Sequence, residues 1–261
     1  MQSSFIKNGF SVYRVPESVI DTVARSFVYR LNARFQKYKP SLKYVGDHGA
    51  FAEIIDEIDD RIWHDCFGIV SYRMLDREAV EIVQDWIGTA ILDTFPGSNY
   101  RFHHVTDSDV LNNELVSSRD LSMYYRVVRP YKRSDVGFPH RDCDFWDSSI
   151  TALPYVGNNP ERLKLWFPIW GFTRKNSLHV IAGSHHEEIT PVYTSIGGLK
   201  KPTIEEDFLN LHSDSITVPI SSPLEAIVFH DKLVHWGPMN SDLGTIRVSV
   251  EGTLINSHAR R

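Results

Sequence analysis

After Tyr100 the chain stops reading with a helical period, and that change constrains the fold more than any other feature. Ahead of it, Glu17–Tyr38 sets Val19, Ile20, Val23, Phe27, Leu31 and Phe35 at helical spacing, and Lys39-Pro40 closes the segment. A second helix is expected over Phe51–Ile62 and a third over Arg77–Leu92, stopped by Phe95-Pro96-Gly97. Behind Tyr100 come short runs: Ser122–Val128, Leu163–Trp170, Ser177–Ile181, Ser215–Val218, Leu224–His230 and Thr245–Leu254. Many short strands split by Gly and Pro predict a sandwich or barrel. No linker, repeat or low-complexity tract interrupts the chain. The expectation is an α+β fold in one domain, 1–261, with 1–98 mainly helical support and 99–261 forming the β core. The stretch Ser184–Asp214 is too long for a tight turn and is expected to be a lid or binding loop.

Composition excludes several function classes. With 42% hydrophobic and 12% aromatic residues, 261 residues can bury a sizeable core, so disorder is excluded. A net charge of -5 and a pI near 6.2 argue against a nucleic-acid binder, which would carry a basic stripe. Cys66 and Cys143 make neither a CxxC motif nor a disulfide framework, so a reducing, cytoplasmic setting is expected. Met1–Val15 lacks the apolar core of a secretory signal, and no apolar run approaches the roughly 20 residues of a membrane span. A membrane-bound substrate would have to be met at the surface.

The chemistry-bearing residues are few. His140 and Asp142 stand two apart in Phe138-Pro139-His140-Arg141-Asp142, and His235 follows in Leu233-Val234-His235-Trp236-Gly237. Two imidazoles and one carboxylate are the ligand set of a facial triad, which holds iron(II) on one face and leaves the other open. The i, i+2 spacing suits a strand end, where alternate residues share a side. Ile246–Leu254 alternates like a strand with one apolar face, so Arg247, Ser249 and Glu251 share the other. An arginine and a hydroxyl two apart can grip a carboxylate, the arginine through a two-pronged fork. Iron ligands followed by a carboxylate clamp point to a metal-chelating keto acid as cosubstrate.

These residues resemble the phytanoyl-CoA dioxygenase superfamily of iron(II)/2-oxoglutarate oxygenases. Its pattern is His-x-Asp, a distal histidine, then an arginine about one hairpin later: here His140, Asp142, His235 and Arg247. Arg247/Ser249 is similar to the family's 2-oxoglutarate clamp. Asn176-Ser177-Leu178-His179-Val180-Ile181-Ala182-Gly183-Ser184-His185 resembles its Gly-x-Leu-x-x-x-Pro-Gly-Ser-His stretch, with Asn176 and Ala182 departing from it. The likeness spans about Met123–Leu254.

Further motifs resemble a branch that includes bacterial Kdo 3-hydroxylases, acting on the acidic inner-core sugar of lipopolysaccharide. They are Tyr125-Arg126-Val127-Val128-Arg129-Pro130, Ser134-Asp135-Val136-Gly137, Phe145-Trp146, Lys201-Pro202-Thr203-Ile204 and Val228-Phe229-His230-Asp231-Lys232-Leu233. The resemblance implies a double-stranded β-helix (jelly-roll) core braced by the N-terminal helices. It also implies iron(II) on His140, Asp142 and His235, 2-oxoglutarate on Arg247 and Ser249, and dioxygen as oxidant. The implied reaction is hydroxylation of a C–H bond of a small or lipid-linked polar substrate. In related halogenases a small residue vacates the aspartate position; Asp142 is present, which favours hydroxylation. The alternatives are a hydroxylase of an amino acid or other small natural product, and a non-catalytic 2-oxoglutarate-binding module.

Several positions have competitors in the sequence. His230 rivals His235, but it ends the apolar run Ala226–Phe229 and reads as a strand-end histidine. Asp144 and Asp147 rival Asp142; the i, i+2 pair with His140 favours Asp142, leaving Asp144 to orient a ligand imidazole. His103-His104 and His185-His186 are adjacent pairs, and strand neighbours point to opposite faces. Arg126, Arg141, Lys164 and Trp146 are candidate substrate contacts: three cations around the expected mouth and one aromatic wall. For Lys164 the bland alternative is an edge-strand lysine reaching for solvent. Lys200-Lys201 would supply peripheral membrane contact if the substrate is lipid-linked.

Overall fold

A computed structural model describes residues 2–67, 74–102, 123–146, 162–196, 199–242 and 244–256. Among these, helices dominate the first hundred residues and antiparallel strands the remainder. Helix α1 (Gln2–Asn8) leads through Gly9, at φ 81, into strand β1 (Phe10–Arg14). Helix α2 (Glu17–Tyr38) matches its sequence bounds and buries one stripe: Val19, Val23, Phe27, Leu31 and Phe35. The helix expected over Phe51–Ile62 is instead two, α3 (His48–Ile54) and α4 (Asp60–Phe67). Asp47 accepts the Ala50 N–H and Asp59 accepts the Ile62 N–H, so each piece has its own N-terminal cap, and the caps break the run. Helix α5 (Arg77–Ala90) is capped by Asp76.

The main sheet is antiparallel. β1, β9 (Glu225–His230), β4 (Arg162–Trp170) and β11 (Arg247–Asn256) lie side by side in that order. β2 (Tyr100–Phe102) and β3 (Met123–Val128) both pair with the far edge of β11. β1 was not expected from the sequence. It occupies the sheet edge beside β9, so the N-terminal segment is woven into the β layer rather than stacked outside it.

Alternation along the strands gives the sheet two different faces. Leu163, Leu165, Phe167 and Ile169 of β4, Ala226 and Val228 of β9, and Val248, Val250 and Leu254 of β11 pack with the helices. Fully burying each of the Leu, Ile, Val and Phe side chains among these is worth about 1.5–3 kcal/mol. Polar ties reinforce this layer. Gln84 of α5 bonds the Phe102 N–H at 2.8 Å and the Tyr100 carbonyl at 3.0 Å, and the Tyr125 hydroxyl donates to Ser26 Oγ at 2.8 Å.

The opposite face carries Trp166, Ile227 and Phe229, which pack with Leu178, Val180 and Leu233. Val180 lies on β5 (His179–Ile181), the middle strand of a small sheet between β10 (His235–Trp236) and β8 (Ile216–Thr217). The same face of β11 presents Arg247, Ser249, Glu251 and Thr253. A charged row there, in the middle of a sheet, is unusual unless something pairs with it. Ser184–Asp214, expected as a loop, holds a hairpin of β6 (Val192–Ile196) and β7 (Leu199–Thr203), then helix α7 (Glu206–Leu211). In the sequence, Gly197-Gly198 is a hairpin signal. No helix among the described residues is long and apolar enough to cross a membrane.

Candidate active site

The two histidines, 95 residues apart in sequence, meet through the backbone. His140 and His235 form a one-residue antiparallel bridge: each N–H donates to the other's carbonyl, at 3.1 and 3.0 Å. Residues directly opposite in an antiparallel pair point to the same side, so the rings sit 4.4 Å apart, centre to centre. His235 is also held from its other side, where β10 pairs with Val180 of β5. Asp142 joins them from the turn that leads into the short helix α6 (Cys143–Trp146). The turn, not a continued strand, brings the carboxylate to the side of His140.

One ligand atom from each of His140, Asp142 and His235 lies within 4.8 Å of the others. His140 Nε2 is 3.7 Å from Asp142 Oδ1, and His235 Nε2 is 3.5 Å from Asp142 Oδ2. Both imidazoles are fixed by their other nitrogen. His140 Nδ1 donates to the Phe138 carbonyl at 2.7 Å, and His235 Nδ1 to the Leu233 carbonyl at 2.9 Å. A nitrogen bonded to a carbonyl must carry the proton, which leaves the Nε2 lone pair aimed at the shared centre. Orientation therefore comes from two backbone carbonyls. Asp144, considered for that task, is paired with Arg141 instead.

Charge states follow from burial and neighbours. Burial pushes His235 down to about 4, helped by His140, so its ring is neutral near pH 7. Burial opposes ionisation of Asp142, but Lys164, His235 and His140 outweigh it and hold the carboxyl well below the usual range. Two imidazoles and one carboxylate are a donor set suited to a divalent cation. Asp142 Oδ2 is buried without a hydrogen-bond partner, an acceptor awaiting one.

Next to the triad lies a cavity of about 80 Å³, lined among others by Arg126, Lys164, Trp166, Gly237, Arg247 and Glu251. Arg247 is buried, and burial with the nearby Arg126 pushes it down to about 10 despite Glu251. Its Nη1 donates to the Asn176 carbonyl, while its Nε has no partner. Ser249 Oγ, fully buried two residues on, has none either. Gly237 packs against the guanidinium so tightly that a Cβ there would lie 2.8 Å from Nη2. Asn176, Gly237, Phe138 and Leu233 are thus positioning residues that no ligand-type motif announces. A groove of about 900 Å³ along α2 is larger, but it contains no such cluster.

The other candidates separate. Lys164 lies on a central strand, its Nζ 2.9 Å from Thr253 Oγ1 and 3.5 Å from Asp142 Oδ2, so the solvent-reaching alternative does not apply. Arg126 lines the cavity and pairs with Glu251 at 2.8 Å. Arg141 lies outside the cavity lining: its guanidinium makes a two-pronged bond to Asp144 and donates to the Ile189 carbonyl. Arg129 is spent on Asp135 and Asp60 and stacks 4.1 Å over Trp63. His230 ends β9 and pairs with Asp231. His185 and His186 sit in a 3-10 turn, not a strand, so their rings are neighbours at 3.8 Å and both bond the Ile6 carbonyl. Cys66 and Cys143 are buried free thiols, with Cys66 pushed up to about 12 by burial, so neither offers a nucleophile. The Trp146 side chain, Asp147, His103 and His104 lie outside the described residues.

No protein-family model and no curated protein sequence matches the chain. Solved structures do. EctD from S. alaskensis with 2-oxoglutarate and 5-hydroxyectoine superposes with a TM-score of 0.55 at 13% identity, over 99% of this chain and 76% of that one. Another structure of EctD, with bound Fe, gives the same values. AviO1 from Streptomyces viridochromogenes gives 0.54 at 13% identity, covering 99% and 95%. SnoK, a non-heme alpha-ketoglutarate-dependent carbocyclase from nogalamycin biosynthesis, gives 0.52 at 12%, covering 98% and 82%. At these identities the likeness is one of fold, which the chain shares with EctD, AviO1 and SnoK.

Proposed function

We propose that the chain is an iron(II)/2-oxoglutarate-dependent dioxygenase that hydroxylates a C–H bond of a small polar substrate. One observation carries the reading: two tautomer-fixed imidazoles and a carboxylate converge beside a buried guanidinium whose Nε has no partner and a buried hydroxyl that has none either. His140, Asp142 and His235 would hold the metal, and Asp142 Oδ2 fits an ion that supplies its missing partner. Arg247 and Ser249 would hold the far carboxylate of 2-oxoglutarate. Bound together, metal and cosubstrate would let dioxygen act as the oxidant, with one oxygen atom going to the substrate and the other to 2-oxoglutarate, which leaves as succinate and CO2. The chain's own part is to fix the ligand tautomers, keep Asp142 ionised and wall the centre with Trp166, Leu178 and Phe229. Two sheets closing over that centre support a jelly-roll core within a single domain.

The resemblance to the Kdo 3-hydroxylase branch makes an acidic sugar the first substrate candidate, with Arg126 and Lys164 as the cations lining the cavity. Peripheral contact at a cytoplasmic membrane face would then use Lys200 and Lys201, on the strand paired with the one that carries the exposed Tyr193. A second reading, a zwitterionic amino-acid-like substrate, is favoured by Glu251, which sets a carboxylate beside Arg126 at the same wall.

The test supplies purified protein with Fe(II) and 2-oxoglutarate and measures succinate. It then screens sugar-acid, lipid-linked and amino-acid pools for a mass gain of one oxygen atom. His140→Ala and His235→Ala should abolish succinate formation while the fold survives; His230→Ala should retain most of it. An active His235 variant beside a dead His230 variant would reverse the ligand assignment. Absence of succinate from wild-type protein under all pools would leave only the binding-module alternative.

A further inference from the structure

Lys164 and Arg126 are cations lining the cavity that neither the metal nor the cosubstrate assignment uses, and of the two Lys164 faces the ligand carboxylate. Lys164 projects from central strand β4 onto the polar face of the main sheet, opposite Thr253 in register. Its side chain is 14% exposed, and that of Asp142 is 17%. A largely enclosed lysine on an inner strand persists only when its charge is compensated. The compensation is Asp142 Oδ2 at 3.5 Å, the same oxygen that lacks a hydrogen-bond partner and faces His235 Nε2. Thr253 Oγ1 takes one Nζ proton at 2.9 Å. Lys164 is therefore a fixed charge in contact with the ligand carboxylate, not a free arm at the mouth.

We propose that Lys164 balances charge at the centre: it weakens the hold on the divalent cation and strengthens the hold on the dianionic cosubstrate. The inference rests on the function proposed above. The count is simple. With both ligand imidazoles unprotonated, as metal ligation requires, the triad carries the single negative charge of Asp142, which Lys164 cancels. A divalent cation takes the set to plus two, and 2-oxoglutarate, a dianion, returns it to zero. Without Lys164 the same steps run from minus one to plus one to minus one. Arg126 and Glu251 cancel each other, and Arg247 is common to both cases. The metal therefore binds more readily to the lysine-free centre, and the dianion less readily. A lysine that serves only the substrate would move neither affinity. A lysine that merely fills space would, on removal, weaken both.

The experiment measures Mn(II) binding to the protein, and 2-oxoglutarate binding to the Mn(II)-loaded protein, by calorimetry without turnover. Wild type is compared with Lys164→Met, Lys164→Gln and Lys164→Arg, with His140→Ala as the control for the site. A unit charge at contact range, at an effective dielectric of about 20, is worth more than tenfold before screening. Lys164→Met and Lys164→Gln should thus bind Mn(II) about tenfold tighter and 2-oxoglutarate about tenfold weaker. Lys164→Arg, which keeps the charge, should stay near wild type on both. Shifts in the same direction, or no shift, overturn the inference while wild-type, His140-dependent Mn(II) binding leaves the function standing. Wild-type protein without such binding removes both. Two neutral variants guard against one that fails to fold, and a melting curve for each reports that directly.

Discussion

Arg247→Met should leave the empty protein at least as stable as wild type, yet nearly deaf to 2-oxoglutarate. In the structure Arg247 is 4% exposed, with one bond to the Asn176 carbonyl and an unpartnered Nε. Burial has pushed its pKa from 12.5 to about 10. Two to three pKa units correspond to roughly 3 kcal/mol, by which the fold disfavours the charged group. The sign is that of a depressed cation: the cost is full below pH 10 and fades only as pH rises from there to the unfolded value, so it is present near neutrality. Methionine fills a similar volume without the charge, so the empty variant should match or exceed wild type by about 1–3 kcal/mol.

With metal present, 2-oxoglutarate at about 100 times its dissociation constant should stabilise wild type by about 2.7 kcal/mol. That is a rise in Tm of roughly 5–10 °C for a domain of this size. Losing a charge-assisted contact worth about 1.5–3 kcal/mol raises the dissociation constant roughly tenfold to a hundredfold. At the same ligand concentration the variant then gains only about 1.4 down to 0.4 kcal/mol. Melting curves with Mn(II), with and without 2-oxoglutarate, measure both halves. A variant that is less stable when empty, and that keeps the full ligand-induced rise, would refute the clamp and the burial argument together.

Gly237→Ala should act on the same clamp from outside: its Cβ would meet Arg247 Nη2 at 2.8 Å, so the 2-oxoglutarate requirement should rise at least about tenfold while Mn(II) binding stays unchanged. Equal effects on both affinities would show a general collapse instead. His185, pushed down to about 4 by burial and by His186 and His230, should lose stability for the protein as pH falls from 6.5 towards 4, because the unfolded chain takes up the proton first. Denaturant titrations across that window should show a flatter slope for His185→Gln; an identical slope would remove His185 as a contributor.

What the sequence made legible was set by how local the information was. The stripe of α2 recurs every fourth residue, so its period and its Lys39-Pro40 stop agree with the observed bounds. The break between α3 and α4 hid in two aspartates, because capping bonds override a continuing apolar pattern. β1 has five residues, too few to show a period, and earns its place from pairing with β9, far off in sequence. At the site, the i, i+2 pair and the strand alternation around Arg247 were readable. The bridge between His140 and His235 was not, because it rests on backbone bonds that any residue type can make. Arg141 shows how sequence adjacency misleads: flanked by His140 and Asp142, it turns away from the cavity to Asp144 and Ile189.

The polar face of β11 explains why these particular residues resisted a bland reading. A central strand covered on both sides should be apolar on both. β11 is apolar only toward the helices, through Val248, Val250 and Leu254; toward the small sheet it carries Arg247, Ser249, Glu251 and Thr253. Each of the first three has a reason tied to the cavity: an unpartnered Nε, an unpartnered hydroxyl, and an ion pair with Arg126. Thr253 completes the set by fixing Lys164 against Asp142. The register shift between Val248 and Ser249, opposite Pro168, falls at this row, where a proline that cannot donate to the ladder is tolerated. Local rules of strand composition fail here together, along one face of one strand, and that coincidence is what a site grafted onto a scaffold predicts. Had the same departures been scattered over both faces of the sheet, strain or chance would explain them as well as chemistry does.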